Sequence, residues 1–297
     1  MEFRQLNTFV YVANFQNFSK AAEHLGYTQS AVTVQIRLLE EELHTKLFER
    51  MGKKVLLTEK GKQFLEHAHK ILYEVTQTKL YMGDGEEYKN PLHIGTIESL
   101  GTTKLPAIIR YFREHHPKVA IQITIASPEE LIERMEHNEL DLIYILDSQR
   151  WNDNWHKVME EVEPVVFVAS PTLEVSEQKK MQIEELLHKP FFLTEKDANY
   201  RQALDKTLAE KRKSLEPLIE SSDTAFIIKI LEENEGVSFL PYFAVEQDVK
   251  KGKLRLLDVE DVNISMYRQI FYHKYKVKTR EMEKFIELAQ LDIEKHK

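Results

Sequence analysis

Apolar positions in the first 60 residues recur at helical spacing. Leu6, Phe9, Val10 and Ala13 form one stripe and predict a first helix. Ser19 is placed to cap a second helix over KAAEHL, and Gly26 stands where a glycine would end it. Thr28 is placed to cap a third, running from Gln29 to about Leu43. Only Gly26 and Tyr27 separate the second helix from the third, which is the short turn of a helix-turn-helix. KKVLLT, at 53–58, predicts a short extended piece that could serve as a wing. A long helix from Glu59 to about Met82 should follow. Phe64, Ala68, Ile71, Val75, Thr78 and Met82 step alternately by four and three, the seam of a coiled coil. The same stripe would suit a helix packed on its own domain. Charged flanks and the lack of another apolar partner nearby in sequence favour a dimerisation helix. GDGEEYKNP, at 83–91, is the linker candidate.

From Leu92 the pattern changes to short apolar runs alternating with helical stretches. Strands are predicted at LHIGTI (92–97), VAIQITIA (119–126), DLIYIL (141–146), VVFVAS (165–170), PFFLT (190–194), VSFLP (237–241) and SMYRQIFYH (265–273). This alternation implies parallel sheets in an α/β body. About 200 residues is large for one such sheet and suits two small lobes.

The net charge of −8 argues at first against a nucleic-acid partner. Its distribution changes that reading. Residues 1–62 hold nine Lys and Arg against seven Asp and Glu, whereas 91–297 hold 29 against 37. A small basic module on an acidic body is compatible with DNA binding. The absence of cysteine excludes disulfides, thiolate metal sites and a cysteine nucleophile. The start, MEFRQLNTFVYVANF, lacks a basic segment followed by a long apolar run, so no signal peptide is expected. No window approaches the ~18 apolar residues of a membrane helix. The expected location is the cytoplasm, with no membrane partner.

The third helix carries the most informative pattern. Val32, Ile36, Leu39 and Leu43 make a buried face, which leaves Gln29, Ser30, Thr33, Val34 and Arg37 on the other side. Amide, hydroxyl, guanidinium and apolar groups of this kind can read base edges, although an ordinary exposed helix face could look the same. The stretch SKAAEHLGYTQSAVTVQIRLLEEELHTKLFER, followed by VLLTEKG, resembles the signature of LysR-type transcriptional regulators. The matches are Ala21, Ala22, Leu25, Thr28-Gln29-Ser30, Ile36, Leu39-Glu40, Leu47-Phe48, Arg50, Leu57-Thr58 and Gly61. PFFLTEKDANYRQALD, the segment ending in VSFLP, and the length extend the resemblance over the whole chain.

The resemblance implies a three-part organisation. Residues 1–58 would form a winged helix-turn-helix, 59–90 a dimerisation helix and hinge, and 91–297 an effector domain like periplasmic solute-binding proteins. Its first lobe would hold about 92–161 plus 267–297, and its second about 162–266. A dimer of dimers would place recognition helices in successive major grooves of a double-stranded operator, with RNA polymerase as a further partner. Ser19, Thr28, Gln29, Ser30, Thr33, Val34, Arg37 and Arg50 would lie at or near bases and phosphates, and Lys53 and Lys54 in the wing. Family members often carry a basic residue where this chain has Val34, so that side chain either meets a thymine methyl or is inert.

The resemblance also implies a small-molecule effector between the lobes. Glu98, Ser99 and Thr102 follow the first strand, Ser127 follows the second, and Thr194, Tyr200 and Arg201 follow PFFLT. Ser99, Thr102 and Ser127 could equally be helix caps, and Arg201 an ion-pair partner. A carboxylate metabolite is the effector expected if Arg201 faces it, with Glu98 opposing it unless neutralised. No cofactor is expected. An enzyme is disfavoured: GxGxxG after a strand, GxxxxGK[ST], HExxH and GxSxG are all missing. His67 and His69 point apart on a helix, and His115-His116 precede Pro117, so neither pair is expected to bind a metal.

Overall fold

The computed structural model describes residues 1–51, 54–82, 88, 90–174 and 180–294. They divide into two compact units. One comprises 1–87 with 133–139 and 273–279, and the other 88–132, 140–272 and 280–297.

The first unit begins with helices α1 (Phe3–Phe15), α2 (Phe18–Leu25) and α3 (Gln29–Glu42). A hairpin of β1 (Phe48–Met51) and β2 (Lys54–Leu57) follows, then α4 (Glu59–Met82). Leu6, Phe9, Val10 and Ala13 are buried as their spacing predicts, against Ala21, Ala22, Val32, Ile36 and Leu39. Gly26 ends α2 at φ 67°, a left-handed conformation that suits glycine. Thr28 caps α3 by accepting from the Ala31 N–H at 3.2 Å. The cap of α2 is Asn17, not Ser19. The helix starts two residues earlier than expected, at Phe18, and Asn17 Oδ1 accepts from the Ser19 and Lys20 N–H groups at 2.8 and 3.2 Å.

The wing is an antiparallel hairpin whose first strand, FERM, the sequence pattern did not reveal. Its register pairs Phe48 with Leu57 and Met51 with Lys54. Phe48 stacks into a ring cluster with Phe9 and Phe18, their centroids 5.2 and 5.9 Å away. Phe64 of α4 also meets Phe9, at 5.0 Å. Leu65, Ile71 and Leu72 join Phe64 on this core and Ala68 is buried in it. The near half of the predicted seam is therefore occupied within its own unit. Val75 is half-buried and Thr78 exposed. Most of the predicted linker lies outside the described residues.

The second unit contains β3 (Leu92–Thr96), α5 (Glu98–Thr103), α6 (Leu105–His115), β4 (Ile121–Ile125), the start of α7 (Pro128–Glu136, whose residues from 133 on belong to the first unit), β5 (Leu142–Asp147) and β6 (Trp155–Ala169). It continues with β7 (Phe192–Leu193), α8 (Asn199–Glu210), β8 (Ile219–Glu220), α9 (Thr224–Glu233) and β9 (Val237–Pro241). Last come α10 (Tyr242–Lys250), β10 (Arg255–Leu257), β11 (Ile264–His273) and α11 (Arg280–Glu294). Every predicted strand is present, but the sheet is mixed. β3 is parallel to β4 and β5, while β5–β11, β6–β9 and β6–β10 are antiparallel.

The strand path β10-β6-β11-β5-β3-β4 runs unbroken because β6 and β11 are long and pair with each other. The lobe boundaries expected near 161/162 and 266/267 thus fall inside strands. A buried ion pair joins these strands: Arg268 Nε lies 2.9 Å from Glu163 Oε2. Glu163 Oε1 also accepts from the Phe243 N–H at 3.1 Å. Burial pushes the Glu163 carboxyl up and Arg268 pulls it back. Such a pair costs most when only one partner is removed.

Gly61 in the first turn of α4 has a steric reason. A Cβ there would stand 2.1 Å from the Leu47 carbonyl oxygen. Helix propensity alone would favour alanine by about 1 kcal/mol, but the overlap should cost about 1–3 kcal/mol. We therefore expect Gly61→Ala to lower the denaturation midpoint of the first unit. A midpoint equal to or above that of the parent would contradict the packing.

Candidate nucleic-acid interface and ligand site

Helix α3 presents two opposite faces. Val32, Ile36 and Leu39 are 3% exposed or less, whereas Gln29, Ser30, Thr33, Val34 and Arg37 lie on the open side. The hydroxyls are held locally: Thr33 donates to the Gln29 carbonyl at 2.9 Å, and Thr28 and Ser30 share a 2.9 Å hydrogen bond. Arg37 pairs with Glu41 at 2.8 Å. That pair is exposed and one turn apart on the helix, so it is weak and can be exchanged for a stronger anion. Val34 and Leu38, 45% and 43% exposed, add an apolar patch one turn long.

A residue whose role the sequence reading did not assign fixes this helix relative to the wing. Glu40 is buried on α3, and its carboxylate accepts from the Leu47 and Phe48 N–H groups at 2.9 and 3.2 Å. Lys46 Nζ closes on it at 2.6 Å. Thr58 holds the far end of the wing by donating to the Lys46 carbonyl at 2.7 Å and accepting from the Gly61 N–H at 2.9 Å. Ser19 and Thr28 are solvent-accessible beside α3. Arg50 and Lys54 belong to the hairpin strands, and Lys53 lies outside the described residues.

In the second unit the candidate ligand residues separate into groups. Glu98, Thr194 and Tyr200 come together. Glu98 Oε2 accepts from the Thr224 N–H at 3.1 Å, at the start of α9. The Tyr200 hydroxyl lies beside the side chains of Thr194 and Thr224, and burial pushes it up to about 12. Ser99 is buried next to Glu98, and its carbonyl accepts from the Thr102 and Thr103 hydroxyls at 3.2 and 2.5 Å. Ser127 has the bland role of a cap, accepting from the Glu130 N–H at 3.3 Å. Thr102 is likewise bonded within its own helix, to the Glu98 carbonyl at 3.1 Å.

Arg201 is an ion-pair partner. It is 2% exposed, its Nε donates to both Asp205 oxygens at 3.0 Å, and Nη1 donates to the Thr194 carbonyl at 3.0 Å. Glu220 stands 3.8 Å from Nη1. The guanidinium thus braces the loop that carries Thr194 and Tyr200.

Three further residues belong to this cluster: Glu195, Asn199 and Thr224. Buried polar atoms without a hydrogen bond of good geometry gather here, namely Thr194 Oγ1, Glu195 Oε2 and Asn199 Nδ2. Orphaned polar atoms are costly in a stable core and mark places where another molecule can supply the partner. Desolvation raises the Glu195 carboxyl above its ordinary range, and Asp197, Glu98 and Glu220 raise it further. Asp223-Thr224 before the apolar run AFIIKIL could have signalled a helix start, but not its approach to Glu98.

The raised carboxyl makes a stability prediction. A glutamate whose folded pKa lies above its unfolded value of about 4.3 carries its full destabilising penalty at pH above the folded pKa, and the penalty fades as pH falls from there toward the unfolded value. Glu195→Gln should therefore unfold at a higher temperature than the parent at pH 7.5, with the gap narrowing as pH falls toward about 4.3. Thermal melts at both pH values measure it. A less stable variant at pH 7.5 would contradict the reading.

Comparison with known proteins follows the same division of the chain. Residues 3–62 match the description "Bacterial regulatory helix-turn-helix protein, lysR family", and 85–292 match "LysR substrate binding domain". The chain is 31% identical over 292 residues to YwqM of Bacillus subtilis, an uncharacterized HTH-type transcriptional regulator, covering 98% of this chain and 99% of that one. It is 28% identical to the transcriptional activator CmpR of Synechocystis, covering 92% and 89%. A full-length OxyR variant of Pseudomonas aeruginosa shares the fold with a TM-score of 0.69 at 22% identity, covering 98% and 95%. DarR of Vibrio fischeri, solved in complex with DNA, matches with a TM-score of 0.52 at 19% identity, covering 97% and 98%.

Proposed function

The chain belongs to the LysR family of DNA-binding transcriptional regulators with a substrate-binding effector domain, and we propose that Gln29, Ser30, Thr33, Val34 and Arg37 are the residues with which it reads its operator. The observation that carries this is the open polar face of α3 opposite a fully buried one. Gln29 suits adenine, Arg37 suits guanine once it leaves Glu41, and Val34 suits a thymine methyl. Ser19, Thr28, Arg50, Lys53 and Lys54 would hold the phosphate backbone, which positions the protein without reading sequence. Relatives with this domain pair are transcriptional regulators, which favours a regulator over an enzyme. No helix among the described residues is long and apolar enough to cross a membrane.

On this reading Gln29→Ala loses about 1–3 kcal/mol of discrimination between the cognate site and random DNA. Electrophoretic mobility shifts on both duplexes measure it, beginning with the DNA upstream of the protein's own gene. Equal loss on both would contradict base reading by this residue.

Two chains would pair through the far half of α4, because its near half is engaged in its own unit, and two such pairs would form a tetramer able to contact RNA polymerase. Val75 is the apolar one of the two described seam residues, Val75 and Thr78, beyond that core. Val75→Glu should convert the dimer to monomer in sedimentation and weaken operator binding, while Phe64→Ala should mainly lower thermal stability. A Val75→Glu protein that sediments like its parent would contradict the assignment.

The effector would bind at Glu98, Ser99, Thr194, Glu195, Asn199, Tyr200 and Thr224. Orphaned polar atoms within one loop support this site. Only a ligand with different affinities for two arrangements of the protein can switch it.

A further inference from the structure

Resting on that reading of the effector site, we propose that its ligand is a small organic cation, an ammonium or amidinium compound, and not a carboxylate. The positive charge a carboxylate would need is already engaged. Arg201 is buried against Asp205, the Thr194 carbonyl and Glu220. The start of α9, a ten-residue helix whose N–H groups would attract an anion, is occupied by the protein's own carboxylate, Glu98, at 3.1 Å from the Thr224 nitrogen.

What remains is acidic, with Asn199 Nδ2 as one buried donor among the carboxylates. Glu195 has a buried oxygen without a partner, and Glu98, Asp197 and Glu220 are near enough to oppose its ionisation. The Thr194 hydroxyl, in a residue 3% exposed, is a second buried group without a hydrogen bond of good geometry, and it lies next to the Tyr200 hydroxyl. An entering cation would receive the Glu195 oxygen and offset the mutual repulsion of the carboxylates, whereas an entering anion would add to it. Asn199 and Tyr200 could orient its uncharged part. Among the described residues no group of three metal-ligating side chains is assembled, so the cluster suits an organic cation better than a metal ion. The first N–H groups of α8 are a positive feature nearby, which makes carboxylates the necessary opposing arm of a test.

The test uses the full-length protein in thermal-shift and calorimetric titrations. The probes are 1,4-diaminobutane, agmatine and choline as cations, succinate and benzoate as anions, and 1,4-butanediol as a neutral analogue. We expect at least one cation to bind and Glu195→Gln to weaken it by at least about tenfold, the loss typical of a hydrogen bond to a charged group. The proposal is overturned if none of the three cations binds, or if carboxylates bind in their place. The site and its ligand class fail separately. A carboxylate whose binding is lost in Asn199→Ala and Thr194→Val would keep the site and refute the class. A ligand indifferent to Glu195→Gln, Asn199→Ala and Thr194→Val would refute the site.

Discussion

The DNA-facing unit depends on the burial of one carboxylate. Glu40 lies inside the core, yet its oxygens are met by two backbone N–H groups and a lysine. A buried charge satisfied in this way is tolerated, and removing its partners or the charge itself leaves unpaired groups behind. Its effect is geometric. α3 cannot rotate, because Val32, Ile36 and Leu39 are locked inside, and it cannot tilt from the wing, because Glu40 holds the first residues of β1. The outer face of α3 can therefore remain polar and open while staying fixed. Groove recognition needs such fixed donors and acceptors, since ordering them during binding would consume affinity.

The second unit follows the opposite rule at the proposed ligand site. Its framework is satisfied, with Glu163 and Arg268 paired across the two longest strands and Arg201 bonded on several sides. The cluster around Glu195 is not: like charges face one another and buried polar atoms have no partner. Buried polar atoms left open in this cluster would trade stability for binding at that place. Rigid readout in one unit and an unsatisfied site in the other are what a ligand-responsive DNA-binding protein requires.

Much of the fold was legible because it rests on local periodicity. The three-four spacing of Leu6, Phe9, Val10 and Ala13 and of Val32, Ile36 and Leu39 marks faces that are buried in the structure. The apolar runs of the second unit are strands. Features that depend on partners distant in sequence were not legible. FERM is half charged and becomes a strand only because Leu57 and its neighbours pair with it. The first half of β6, Trp155 to about Pro164, is rich in charged residues, and β8 and β10 are too short to carry a pattern. Antiparallel pairing of β6 with β9 leaves no trace in either segment. At the proposed ligand site Thr194 and Tyr200 were singled out by their place after a strand. The engagement of Arg201 by Asp205 and Glu220, and the approach of Thr224 to Glu98, are products of tertiary packing. Asn17 displaced Ser19 as the cap because the helix begins two residues earlier, which falls within the usual uncertainty of helix ends.

A fixed α3 face that reads sequence in duplex DNA is the premise on which the rest stands. Selection of bound duplexes from a random pool by the full-length protein tests it most directly, at a salt concentration that suppresses phosphate-driven binding. Such a face predicts enrichment of an interrupted inverted repeat. Recovery of a pool no different from the starting one, while the protein remains folded, would contradict it.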